Sequence, residues 1–86
     1  MDTLFVFARP PSPDELRLVQ TQAQAKVLLL GPAVFTPAGT FKKRTVLVLA
    51  EEVEELGATS VLPAEYQAET GAAVIEALVS HKLFNL

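Results

Sequence analysis

The sequence predicts an α/β fold: one small domain on a mainly parallel sheet of four or five strands, with helices on both faces. Three observations predict it. Short apolar runs rich in Val, Leu and Phe, at 3–8, 26–30 and 45–50, alternate with segments that carry helix-start signals. The runs at 26–30 and 45–50 show no polar alternation, as expected of strands covered on both faces. The chain has 86 residues, half of them hydrophobic and 20% charged, so 1–86 is one domain with more apolar surface than a lone small domain needs. Part of that surplus is expected in an interface. The order reads β-α-β-loop-β-α-β-α-β, which implies right-handed crossovers.

Thr3 to Ala8, TLFVFA, is the first strand. Pro10 and Pro11 end it. Ser12 is a helix N-cap, Pro13 takes the first helical position, and Glu15 closes a capping box three residues after Ser12. This helix carries Leu16, Val19, Gln20 and Ala23 on one stripe and is expected to run to about Gln24. Lys26 to Leu30 is the second strand. The irregular stretch from Gly31 to Arg44 has room for one helical turn around Ala33–Thr36, limited by Pro37 and Gly39. Thr45 to Ala50 is the third strand, and Glu51 to Leu56 a short acidic helix stopped by Gly57. The segment TSVLP, 59–63, is expected to hold a short fourth strand. Thr70 caps a last helix bearing Val74, Ile75, Leu78 and Val79, and Leu83 to Leu86 adds an edge strand.

Composition excludes several chemistries. There is no cysteine, which removes disulfides, thiolate catalysis, persulfide carriage and Cys-based metal sites. His81 is the lone histidine, so one chain cannot form a His-rich metal site, and no cofactor is expected. The formal net charge is −3, so direct nucleic-acid binding is not expected. No run approaches the roughly 18 apolar residues of a membrane span, and Met1-Asp2-Thr3 lacks the basic start of a signal peptide, which together imply a cytoplasmic protein.

Each candidate site has a bland reading beside its functional one. The turn Gly31–Thr36 sits at a strand's C-terminal end, where backbone N–H groups can hold an anion. Pro32 removes one donor, and chain reversal over a packed Phe35 explains the turn as well. Glu51, Glu52, Glu54 and Glu55 form a solvated acidic face, with Glu51 and Glu52 suited to a helix N-terminus; acid–base work needs partners from elsewhere. Lys42-Lys43-Arg44 is a single basic run, three charges that can touch phosphate or guard a strand edge. His81 suits a helix C-terminus when protonated. Tyr66 reads as half-buried with its hydroxyl in water. Ser12 has no base beside it, and the capping box accounts for it.

Three segments in succession, KVLLLGPAVF, TVLVLAEEVEELG and VIEALVSHKLFNL, resemble the DsrE/DsrF/DsrH superfamily, and within it the small DsrH/TusB-like branch. The first is similar to that branch's strand and Gly-Val-aromatic turn: Val34 and Phe35 fit, and Ala33 replaces the usual glycine. In the second, Glu51, Glu52 and Gly57 fit, and Leu56 stands where arginine is common. The third resembles the closing helix, histidine and apolar tail, with a few extra residues between Tyr66 and His81.

The resemblance implies a non-catalytic subunit of a sulfur-relay complex, serving tRNA 2-thiouridine synthesis or sulfur oxidation. Lacking cysteine, this chain cannot itself accept sulfur. Its expected partners are further copies of itself and cysteine-bearing DsrE/DsrF- or TusC/TusD-like sister subunits. The expected interface is the apolar surface around Val34, Phe35, Leu83 and Phe84. Two alternatives stand beside this reading: a homo-oligomer of unrelated role, and a small-ligand-binding regulatory domain. The latter would use strand ends at Gly31 and Ala50 with Ala8 and an inward Arg9. An enzyme built across a subunit boundary from His81 and a glutamate such as Glu51 ranks below these, for want of any local catalytic constellation.

Overall fold

The computed structural model describes residues 3–22, 25–36, 39–41, 44–57 and 62–85; the side chains of residues 82, 84 and 85 lie outside that description. Five strands form one sheet: β1 (Thr3–Phe7), β2 (Lys26–Leu29), β3 (Thr45–Leu49), β4 (Tyr66–Glu69) and β5 (Lys82–Asn85). Their order across the sheet is β4-β3-β2-β1-β5, and every neighbouring pair is parallel. Three helices join them: α1 (Pro13–Gln20), α2 (Ala50–Glu55) and α3 (Gly71–Ser80). A 3₁₀ turn spans Gly31–Phe35.

The order dictates which face each helix covers. From β1 to β4 the chain steps repeatedly in one direction, so right-handed crossovers put α1, the 3₁₀ turn and α2 on one face. The connection from β4 to β5 runs back across the sheet, and the same handedness places α3 on the other face. Packing agrees. Phe5, Phe7, Val27, Leu29, Val46, Val48 and Tyr66 meet Val19 of α1, Val53 of α2 and Ala33 and Val34 of the turn. The alternate residues Leu4, Val6, Leu28 and Leu47 meet Val74, Ala77 and Leu78 of α3. Helices on both faces explain why β2 and β3 carry no polar alternation.

Local chemistry sets the element ends. At α1, Ser12 Oγ accepts the Glu15 N–H at 3.3 Å and the Glu15 carboxylate accepts the Ser12 N–H at 2.8 Å, a complete capping box. The helix stops at Gln20 rather than near Gln24. Thr21 Oγ1 donates to the Leu18 carbonyl at 2.6 Å, taking an acceptor that a further turn would need. Gln20, expected on the buried stripe, is exposed, and Ala23 lies outside the described residues. The helical turn expected around Ala33–Thr36 forms as the 3₁₀ turn, begun by Gly31 at φ +53°. Gly57, at φ +66°, ends α2 as its sequence implies. Thr70 caps α3, its Oγ1 accepting the Ala73 N–H at 3.2 Å.

The fourth strand differs from expectation. Thr59, Ser60 and Val61 lie outside the described residues, Leu62 and Pro63 are not in a strand, and β4 is Tyr66–Glu69. Leu62 instead packs as a plug against the core. A Pro63 carbonyl to Tyr66 N–H bond, 3.0 Å, turns the chain into β4. In this edge strand Tyr66 is buried, Gln67 and Ala68 are exposed and Glu69 is half-buried. Among the described residues no helix is long and apolar enough to cross a membrane.

Candidate functional site

In a parallel sheet the connections after the strands gather at their C-terminal rim, where ligands usually bind. Here bonds within the chain hold the part of that rim around the turn after β2. The Leu30 N–H donates to the Phe7 carbonyl at 2.9 Å, joining the ends of β1 and β2. The Gly31 N–H donates to a carboxylate oxygen of Glu52, in the first turn of α2. The Ala33 N–H is held by the Leu30 carbonyl and the Thr36 N–H by the Ala33 carbonyl. With Pro32 lacking an N–H, Glu52 occupies the place an anionic ligand would take. Glu52 therefore departs from the solvated acidic face, whereas Glu51, Glu54 and Glu55 are exposed as expected.

Arg9 does not turn into a cleft at the strand ends. Its guanidinium grips the Glu15 carboxylate with two bonds, 3.0 and 3.1 Å, at the N-terminus of α1. The Ser12 backbone N–H and then Arg9 hold the Glu15 carboxyl below its ordinary pKa. Arg9 thus braces a half-buried capping box from its solvent side.

The expected apolar interface divides. Val34 is 1% exposed and belongs to the core, so it is not an interface residue. Phe35 is 50% exposed. A 3₁₀ helix turns about 120° per residue, so Val34 inward sends Phe35 outward. Leu83 on β5 is 46% exposed, and the side chain of Phe84 lies outside the described residues. The more exposed apolar residues are on α3: Ile75 is 63% and Val79 76% exposed. Four apart, they share one flank, while Val74 and Leu78 face the sheet. Leu83 pairs with Leu4, on the α3 side of the sheet. Ile75, Val79 and Leu83 thus border the outer edge of β5 on one side of the molecule. Their apolar types are plain in the sequence, but which of them α3 buries depends on how it crosses the sheet.

On the opposite flank of α3 lies an open groove of about 270 Å³. Its floor is the uncovered part of β2, β3 and β4, with Lys26, Thr45, Gln67 and Glu69; its wall includes Glu76 and His81. His81 Nδ1 lies 2.8 Å from the Ala77 carbonyl, which only accepts, so Nδ1–H donates to it. The ring therefore closes the end of α3, as its position in the sequence implies. Among the described residues no three of His, Asp and Glu are placed to share a metal ion.

Tyr66 is a correction. Its side chain is buried, and its hydroxyl donates to the Thr36 carbonyl at 2.9 Å, tying β4 to the end of the 3₁₀ turn. Burial is the first cause, and Glu65 the second, that pushes its pKa up to about 12. Of the basic run, Lys42 and Lys43 lie outside the described residues, and Arg44 donates to the Gln20 carbonyl at 3.3 Å, bracing α1 against the entry to β3.

No family model matches this chain. Neither a curated protein nor a solved structure matches it at a significant level.

Proposed function

We propose that this chain is a non-catalytic assembly subunit, of the kind that the DsrH/TusB-like branch supplies to sulfur-relay complexes. One observation carries the assembly reading: Ile75, Val79 and Leu83 present exposed apolar side chains beside β5, an edge strand among the described residues. An edge strand flanked by apolar residues is a natural docking surface for another subunit. Phe35 adds a second exposed apolar point at the C-terminal rim. The relay reading rests on the succession of three segments and on a small α/β fold of the kind that resemblance implies. Without cysteine the chain would support sulfur transfer by neighbours rather than carry it. Its partners would be copies of itself and cysteine-bearing sister subunits in the cytoplasm.

Light scattering on the purified chain tests assembly. A multimer that Ile75→Glu with Val79→Glu converts to monomer, with unchanged circular dichroism, supports it; a monomeric wild-type chain that binds no sister subunit sinks it. Co-purification from the native source tests the relay. Recovery of cysteine-bearing sister subunits supports that reading, and recovery of the homo-oligomer alone removes it.

A further inference from the structure

The groove beside α3 sorts its charges by sign. Lys26 and Thr45 are register partners at the N-terminal rim of the sheet. Gln67 lies two residues further along, in the row of Leu47, and Glu69 four residues further, in the row of Leu49. At about 3.3 Å per residue and about 4.8 Å per strand, Lys26 on β2 and Glu69 on β4 are roughly 13 Å apart along the strands and about 10 Å across them, or about 16 Å in all. Helix α3 starts beyond the end of β4 and finishes just before β5, so it runs antiparallel to the strands. Ser80 and His81 therefore stand over the Lys26 row. Glu76 lies about one turn earlier, and helical side chains lean toward the helix N-terminus, which aims its carboxylate at the Glu69 end.

One end of the groove thus holds an ammonium with the Ser80 and His81 side chains, and the other holds two carboxylates. Lys26, Glu69 and Glu76 have no ion pair among the described residues. The middle is mixed, with Gln67 beside Leu47 on the floor and Ala73 and Ala77 on the wall, and Gln67 points where a buried strand would carry an aliphatic residue. We propose that this groove binds a short extended peptide with free termini, its carboxylate at Lys26 and its ammonium between Glu69 and Glu76. Charge complementarity at both ends selects it. An extended tripeptide spans about 10 Å, and the reach of the lysine side chain at one end and the glutamate side chains at the other makes up the rest. Amino-acid zwitterions are too short to meet both ends.

The groove is separate from the assembly surface, since Ile75 and Val79 lie on the other flank of α3 and Leu83 on β5. Nitrogen–proton correlation spectra of the whole chain, titrated with tri-alanine, give the test. Saturable shifts at the Lys26–Thr45 and Glu69 rows and along α3 are expected. N-acetylated, C-amidated tri-alanine and glycine should leave those signals in place. Lys26→Met and Glu69→Gln should each weaken binding roughly threefold to fivefold, the range of a partly exposed ion pair. No shift with free tri-alanine, or equal shifts with the blocked peptide, overturns the proposal.

Discussion

Tyr66 shows how one side chain links distant parts of the chain. Its ring fills the core at the edge strand, and its hydroxyl satisfies the Thr36 carbonyl thirty residues earlier. Tyr66→Phe keeps the ring and leaves that carbonyl without its donor, so denaturant unfolding should show a loss of about 1–2 kcal/mol. The raised phenol pKa also predicts a pH dependence. Because the folded value, about 12, exceeds the unfolded value near 10, the unfolded chain ionises first and stability falls as pH rises from 10 to 12. As Tyr66 is the lone tyrosine, ultraviolet titration reads this ionisation directly, and the Phe variant should lose that alkaline limb. Glu15 behaves oppositely. Its folded pKa is lowered, so its contribution is full above the unfolded value of 4.5 and is lost as pH falls below it. Glu15→Gln should flatten the acid limb of a melting-temperature profile.

At the scale of elements, small polar groups decide where helices and turns begin. Ser12→Ala removes the acceptor for the Glu15 N–H and should lower stability by about 1 kcal/mol, read from the denaturant midpoint. The turn after β2 depends on two features together. Gly31 adopts φ +53°, and a Cβ there would meet nothing closer than the Ala8 carbonyl oxygen at 3.8 Å. Gly31→Ala is thus a conformational penalty of about 1–2 kcal/mol, not a clash, and Gly31→Asn should cost less. Glu52→Ala strips the acceptor from the Gly31 N–H and should cost about 1–3 kcal/mol. Glu52→Gln should cost less than Glu52→Ala, because the amide oxygen still accepts from the Gly31 N–H.

For the whole molecule, the reversal of direction between β4 and β5 is the governing feature. Among the described residues it leaves α3 as the one helix on the second face, with an apolar border at β5 and an open groove at β4. The two borders differ in chemistry and so in the partners they suit: a subunit at the first, a charged small ligand at the second. The Ile75→Glu, Val79→Glu chain should therefore change its mass in solution while still binding tri-alanine.

Sequence by itself determined the strand and helix order, the capping box at Ser12 and Glu15, the cap at Thr70 and the stop at Gly57, because each is written within a few residues. It also determined the double-sided burial of β2 and β3, through runs of Val and Leu with no polar break. It placed the fourth strand too early, at 59–63, because the short Tyr-Gln-Ala-Glu pattern of β4 is weaker than the apolar Val61-Leu62 just before it. Tertiary structure alone decided that Val34 is core and Phe35 surface, that Tyr66 reaches Thr36, and that Glu52 reaches Gly31. Each joins positions far apart in the chain or depends on how an element is rotated against the sheet. Local pattern carries no record of such distances; the sheet order sets them.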